Sequence, residues 1–406
     1  MIPYGRQDIS DEDIAAVEAV LRSDFLTQGP AVPRFEAAIK AATGAEHALA
    51  VNSATSALHI ACMALDLGPG DWLWTVPNTF VASANCGIYC GAEVDFVDID
   101  PETYVMCPKA LEAKLVAAKG AGRLPKVIVP VHFAGQSADM AAIGALARAY
   151  GVRVIEDASH AIGARYQGAP VGNCAHSDIC VFSFHPVKIV TTAEGGVATT
   201  NDAHLAQRME LHRSHGVTRD PSLLQEDSPG GWYYEQVALG YNYRMTEMQA
   251  ALGASQMTRL DAFVARRNVL AARYDRLLAD LPLTRPVQNP DSYSAYHLYP
   301  IQVEDRARVF AYLRENGIGV NVHYIPVHTQ PFYCARGFAR GDFPAAEAYY
   351  DRAISIPLYA GLTEADQDRV FEVLRAALQA SKVGAISRWI SPRIVRAAPA
   401  SFFASS

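Results

Sequence analysis

The segment Phe182-Ser183-Phe184-His185-Pro186-Val187-Lys188 carries an apolar run into a lysine beside a proline-fixed turn, and continues through Thr191-Thr192-Ala193-Glu194-Gly195-Gly196. An amine just past a buried strand is desolvated, its pKa falls, and the neutral nitrogen becomes able to attack an aldehyde. A single loop lysine is more often a solvated charge, so the neighbouring motifs decide. Upstream, Val152-Arg153-Val154-Ile155 ends in Glu156-Asp157-Ala158-Ser159-His160, a carboxylate and an imidazole three residues apart just beyond a strand. A cofactor that works as an electron sink through a pyridine ring needs a negative partner at the ring nitrogen, and Asp157 is the candidate for it. Without Lys188 the same aspartate would read as a turn cap.

Two more segments belong with these. Asn52-Ser53-Ala54-Thr55-Ser56-Ala57-Leu58 follows a strand ending at Val51 and opens a helix from Leu58 to Leu65. Free N–H groups, the positive end of the helix dipole and the hydroxyls together suit a phosphate, although Ser and Thr also serve there as plain caps. Pro77-Asn78-Thr79-Phe80 brings out an aromatic ring after a turn, placed either to stack on a planar ligand or to fill the core.

The elements that must hold these groups read as an α/β architecture. Short β-branched runs alternate with apolar helical segments, the pattern of a largely parallel sheet covered on both faces. Strands are expected at His47–Val51, Val94–Val97, Lys126–Phe133, Val152–Glu156, Asp178–Phe184 and Gly196–Thr200. Ligands of such sheets gather beyond the carboxyl ends of the strands, which is where the four segments fall. Ser10 and Asp13 frame a capped amphipathic helix near the start, and Ala138–Tyr150 is a helix closed by Gly151. A long helical stretch from Thr246 to Leu281 links a large domain, residues 1–250, to a smaller α/β domain, residues 251–380. Residues 381–406, rich in Ala, Ser and Arg, lack a sustained period and are expected to form a loosely ordered tail.

Composition narrows the functional classes. With 406 residues, half of them apolar, the chain can bury two cores. The net charge of −7, with charges mixed in sign along the chain, offers no phosphate-backbone footprint, so no nucleic-acid partner is expected. The seven cysteines include no C-x-x-C pair and read as reduced thiols of a cytoplasmic protein. No basic start precedes an apolar run, and no run of about 18 apolar residues occurs, so neither a secretion signal nor a membrane span is expected. His323 with His328, and His212 with His215, lack an acidic or cysteine ligand at a known metal spacing, so no metal is expected.

In order and wording, NSATSAL, TFVASAN, EDASHAIGA, SFHPVK with TTAEGG, and GYNYRM resemble the DegT/DnrJ/EryC1/StrS family of sugar aminotransferases over roughly residues 3–378. The resemblance implies the fold-type-I architecture of pyridoxal-phosphate-dependent transferases. It implies that Lys188 carries pyridoxal 5'-phosphate as a Schiff base, that Asp157 pairs the pyridine nitrogen, that Phe80 stacks on the ring and that His160 lies at its phenolic edge. It further implies that Ala54, Thr55 and Ser183 hold the phosphate, joined by Asn242 from a second subunit, hence a homodimer with shared active sites.

Ala54 stands where many relatives have glycine, Ala193 precedes Glu194 where glycine is common, and His160 replaces a frequent glutamine. These departures are similar to one branch, the transaminases of pseudaminic acid biosynthesis, as are Ile2 to Gln7, Leu26 to Gly29, Arg213 to Gly216 and Val322 to Tyr324. That likeness implies UDP-2-acetamido-2,6-dideoxy-β-L-arabino-hex-4-ulose as substrate and L-glutamate as amino donor. Tyr4, Leu26, Thr27, Gln28, Gly29, Ser53, Asn321, Val322, His323 and Tyr324 would then line the sugar-nucleotide site. Three alternatives remain: a different keto sugar, of perosamine or 3-keto type; a dehydratase of the same fold, in which the resemblance implies histidine at the Lys188 position; and a non-catalytic regulatory member.

Overall fold

A computed structural model of the chain describes residues 1–387. The β-branched and apolar runs pair into a seven-stranded sheet of β1 (His47–Val51), β2 (Trp72–Thr75), β3 (Glu93–Phe96), β4 (Val127–Val129), β5 (Arg153–Asp157), β6 (Ile179–Ser183) and β7 (Gly196–Thr200), in the order β1-β7-β6-β5-β4-β2-β3. All neighbours are parallel except β7, which runs antiparallel to both β1 and β6. That reversal brings the first residue of β7, Gly196, to the edge where β1 and β6 end, pairing it with both Val51 and Ser183.

Sequence and structure differ at β2 and β4. Trp72–Thr75 is a central strand of four residues between β4 and β3, too short and too rich in tryptophan to stand out as an alternating or β-branched run. The expected strand Lys126–Phe133 is paired only over Val127–Val129, because Pro130 has no N–H to donate to the ladder. Val131 makes one further bridge to Asp157, and Phe133–Gly135 closes into a short turn of 3-10 helix.

The helices begin and end where local chemistry directs them. Ser10 accepts from the Asp13 N–H while the Asp13 carboxylate accepts from the Ser10 N–H at 2.9 Å, starting the helix Asp11–Leu21. Gly151, at φ 68°, closes Met140–Tyr150. The stretch expected as one helix from Thr246 is two, Glu247–Met257 and Leu260–Leu277. Between them the Thr258 hydroxyl and N–H both bond the Ser255 carbonyl, and Arg259 leaves helical geometry at φ −107°, ψ 5°.

The second helix of this pair spans two cores. Leu260, Phe263 and Val264 pack with Phe35, Phe182 and Phe184 under the large sheet. Leu270, Ala271 and Tyr274 pack with β8 (Tyr299–Gln302) and β9 (Ala353–Ile356), an antiparallel pair covered by the helices Arg306–Glu315 and Glu364–Ser387. Residues 381–387 continue that last helix, and the remainder of the expected tail, 388–406, lies outside the described residues. Among the described residues no helix is long and apolar enough to cross a membrane.

Candidate active site

Each strand that ends at the common edge delivers one functional residue. Asp157 is the last residue of β5, Ser183 the last of β6, and Ser53 follows β1 by two. They open onto a cleft of about 550 Å³, lined also by Lys188, His160, Phe80 and Tyr324.

Lys188 sits in the turn after β6, its N–H bonded to the His185 carbonyl at 2.9 Å. Its amine is pushed down from the ordinary 10.5 to about 8 because burial penalises the charged form, with the Asp157 carboxylate pulling the other way. Asp157 is 4% exposed, and its two oxygens are held separately. Oδ2 accepts from Ser83 Oγ at 2.6 Å, and Oδ1 accepts from the Ser159 N–H at 3.1 Å. Thr79 Oγ1 lies 2.7 Å from Ser83 Oγ and extends the chain of hydroxyls. A carboxylate fixed by two donors keeps its aim.

The start of the helix Ala54–Ala64 leaves donors free at one end of the cleft. Ser53 caps it: its hydroxyl accepts from the Ser56 N–H at 3.1 Å and its carbonyl from the Ala57 N–H at 3.0 Å. That arrangement leaves the N–H groups of Ala54 and Thr55 without acceptors among the described residues, at the positive end of the helix dipole. Nothing in the described chain takes the hydroxyls of Thr55 or Ser183 either, and both residues line the cleft. Gly196 makes the close approach possible: a Cβ there would come within 2.5 Å of the Ala54 nitrogen and the Ser53 carbonyl group.

The opposite wall is polar but uncharged. His160 is buried; its Nδ1 accepts from the Ala134 N–H at 3.2 Å, so the ring proton stands on Nε2 and is donated to the Tyr324 hydroxyl at 3.0 Å. Burial, then the charge of Lys188, holds the His160 imidazole far below its ordinary pKa, and the same two causes hold His323 down at about 3. The Tyr324 phenol is raised by burial and, less, by Asp157 and Tyr4, so it stays protonated. Tyr4, Asn321 and Val322 complete this wall, with His323 bonded to Ser355 Oγ at 2.8 Å.

The residues expected from sequence divide accordingly. Lys188, Asp157, His160, Ala54, Thr55, Phe80, Ser183, Tyr4, Ser53, Asn321, Val322, His323 and Tyr324 come together in this cleft. Leu26, Thr27, Gln28, Gly29 and Asn242 do not line it. Thr27 bridges Thr246, the Leu26 carbonyl accepts from the Glu247 N–H, and Gly29 lies so close to Phe25 and the Glu247 carboxylate that no side chain fits. Asn242 is exposed on the same segment, its carbonyl 3.5 Å from Asn52 Nδ2. Leu26, Thr27, Gln28 and Asn242 are all exposed.

Sequence reasoning missed Ser83 and His297. Ser83 stood inside TFVASAN, three residues after Phe80, where one helical turn carries its hydroxyl to the same side. His297 has no motif around it and reaches the cleft only through the tertiary fold. The histidine pairs considered as metal ligands are spent elsewhere: His328 Nε2 bonds Glu347 at 2.9 Å and His212 Nδ1 the Leu239 carbonyl at 3.0 Å. Among the described residues no group of three or more possible ligands is placed to hold a metal.

These groups fit pyridoxal 5'-phosphate on their own chemistry. They offer a buried amine with a lowered pKa, a fixed anion for a pyridine nitrogen, unclaimed N–H and hydroxyl donors for a phosphate, and room for a flat ring. Comparison with known proteins agrees. The profile of the DegT/DnrJ/EryC1/StrS aminotransferase family matches residues 7–375. The spore coat polysaccharide biosynthesis protein SpsC of Bacillus subtilis is 40% identical over 383 residues, covering 92% of this chain and 96% of that one. Among solved structures, Helicobacter pylori PseC, an aminotransferase involved in the biosynthesis of pseudaminic acid, superposes with a TM-score of 0.85 at 32% identity, covering 93% and 99%. The PLP form of a putative sugar aminotransferase, Spr1654 of Streptococcus pneumoniae, superposes at 0.85 with 29% identity, covering 93% and 99%.

Proposed function

The chain belongs to the DegT/DnrJ/EryC1/StrS aminotransferase family, whose cofactor is pyridoxal 5'-phosphate, and from that premise we propose that it moves the amino group of L-glutamate onto C4 of a UDP-linked 4-keto-6-deoxy-N-acetyl hexose, UDP-2-acetamido-2,6-dideoxy-β-L-arabino-hex-4-ulose. The observation that carries this reading is the convergence, in one cleft, of the Lys188 amine and the Asp157 carboxylate with an uncharged wall of Tyr4, Asn321, His323 and Tyr324. A homodimer in the cytoplasm, with Leu26 to Gly29 and Asn242 serving the partner's cleft, is part of the same reading.

The division of labour follows from the site. Pyridoxal phosphate supplies an electron sink for the negative charge left when a carbon beside nitrogen loses its proton. Thr55, Ser183 and the N–H groups of Ala54 and Thr55 would hold its phosphate, Asp157 its ring nitrogen, and Phe80 its face. Lys188 Nζ is the basic amine of the cleft; neutral above about pH 8, it takes a proton from the α-carbon of the donor and later returns one to the new amino-bearing carbon. Because Lys188 is fixed in the cleft, its nitrogen meets the reacting carbon of whichever substrate is bound, and each proton transfer is local rather than bimolecular. Ser83 and Ser159 hold the Asp157 carboxylate in aim, and Tyr324, which accepts from His160 Nε2–H, keeps its own proton free to donate.

A second reading is an aminotransferase for another nucleotide keto sugar, of perosamine or 3-keto type; the 40% identity to SpsC, a protein of spore coat polysaccharide biosynthesis, supports nucleotide-sugar work without selecting the sugar. Steady-state rates on the UDP-4-keto sugar, a GDP-4-keto-6-deoxy hexose and a 3-keto nucleotide sugar separate the two. The UDP-4-keto sugar should lead in kcat/KM by about 100-fold or more, since a site that hydrogen-bonds its substrate rejects analogues lacking those partners. Preference for either of the others replaces the proposed substrate and leaves the aminotransferase standing.

A further inference from the structure

One buried polar group of the cleft has no partner and no assigned work. His297, 4% exposed, lines the cleft with its ring centroid 4.4 Å from that of His160. Its Nδ1 is fully buried with no hydrogen-bond partner, and its Nε2 has none among the described residues. Nδ1 is sealed from the cleft, so Nε2, which no described residue pairs, is the ring nitrogen a ligand in the cleft can meet.

The backbone that carries the ring is fixed from two sides. The His297 carbonyl accepts from Arg267 Nη1 at 3.3 Å, and the same nitrogen bonds the carbonyls of Tyr296 at 3.1 Å and Leu358 at 3.0 Å. Arg267, itself 2% exposed, thereby clamps the backbone on either side of the cleft wall. Gly135 presses on the other side, where a Cβ would come within 2.9 Å of the His297 nitrogen and 2.6 Å of that of Tyr296. These contacts fix the backbone that carries the ring, while the ring itself makes no hydrogen bond to the described residues.

We propose that His297 is a specificity-determining residue that hydrogen-bonds an uncharged polar group of the sugar, a hydroxyl or the acetamido carbonyl, while the substrate occupies the cleft. This rests on the nucleotide-sugar aminotransferase reading above. The chemistry of the wall selects the class of group. Burial first, and then His160 and Lys188, holds the His297 imidazole far below its ordinary pKa, so it is neutral and presents one donor and one acceptor. With His160 and His323 also neutral, this side of the cleft has no charge to pair with a phosphate or a carboxylate and suits hydroxyl, keto and amide groups. Carrying the single ring proton on Nε2 leaves a lone pair, not an N–H, unpaired at the buried Nδ1, which makes His297 a donor toward the cleft.

The test is calorimetric, on the cofactor-loaded protein with no amino donor present, so that binding is read without turnover. The ligands are UDP and UDP-2-acetamido-2,6-dideoxy-β-L-arabino-hex-4-ulose, and the variants are His297→Phe and His297→Gln. In the wild type the keto sugar nucleotide should bind more tightly than UDP. His297→Phe should raise its Kd about tenfold, about 1.4 kcal/mol, and leave the Kd of UDP unchanged. His297→Gln, which keeps a donor, should stay within about threefold of wild type. Should the phenylalanine variant fail to fold, His297→Ala reads the same quantity. An unchanged Kd for the sugar nucleotide in the non-bonding variant overturns the inference while the substrate reading stands, and so does an equal loss for UDP, which would mark a structural role. A wild type that binds the keto sugar nucleotide no better than UDP overturns both.

Discussion

Lys188 reacts only while its amine is neutral, and its surroundings decide when that is. Burial brings its pKa from 10.5 to about 8, so the neutral fraction of the folded chain rises as pH rises through about 8, where an ordinary lysine would still be almost fully charged. Loading of the cofactor-free protein, followed by its absorbance, should therefore accelerate up to about pH 8 to 9 and then level off; acceleration continuing toward 10.5 would mean an undisturbed amine. Lys188→Ala should bind the cofactor noncovalently and lose turnover by about 1,000-fold or more, because the proton carrier goes while the phosphate and ring contacts stay. Ser83→Ala removes the 2.6 Å bond to Asp157 Oδ2, and a hydrogen bond to a charged group is worth about 1.5 to 3 kcal/mol. The glutamate half-reaction, read in a stopped-flow instrument, should slow by about tenfold, and an unchanged rate would show that Ser159 alone suffices to hold the carboxylate. The sequence made Lys188 and Asp157 legible because each follows an apolar run by a fixed step. It hid His297, which owes its place to contacts with Arg267 and Gly135, far away in the chain.

Gly196 shows how an element builds the phosphate end. As the first residue of the one antiparallel strand it pairs with both Val51 and Ser183, and its bare α-carbon lets the helix start at Ser53 and Ala54 close over the sheet edge. Gly196→Ala should push that helix start outward, costing about 1 to 3 kcal/mol of stability and weakening cofactor retention by at least about tenfold in equilibrium dialysis. Retention at the wild-type level would mean that the close approach is not needed. Most strands were readable because their β-branched runs stand between turn residues, and β1, β5, β6 and β7 fall within a residue of their expected bounds. β2 was not, since four residues with two tryptophans carry no period, and the break between the helices ending at Met257 and starting at Leu260 was not, since a Thr258 hydroxyl bonded to a backbone carbonyl leaves no mark in a hydropathy pattern.

The molecule as a whole presents an unused surface beside its cleft. Phe25 and Leu26 are 52% and 50% exposed, Leu239 69%, and Asn242, three residues beyond Leu239, is exposed as well. If this surface meets the same surface of a second copy, each cleft takes its lysine from one chain and its Asn242 from the other. The protein should then sediment at about twice its 43.9 kDa, and a mixture of the Lys188→Ala and Asn242→Ala variants should regain about a quarter of wild-type activity, since half of the dimers are mixed and each has one intact site. No recovery on mixing would place Asn242 outside the partner's site. Whether one lysine-centred cleft carries an amino group from a donor to a nucleotide keto sugar is read from the visible spectrum of the purified, cofactor-loaded protein. Its yellow absorbance should bleach on adding L-glutamate and return on adding the UDP-4-keto sugar; absorbance that ignores glutamate, in a protein shown to hold the cofactor, would contradict that transfer.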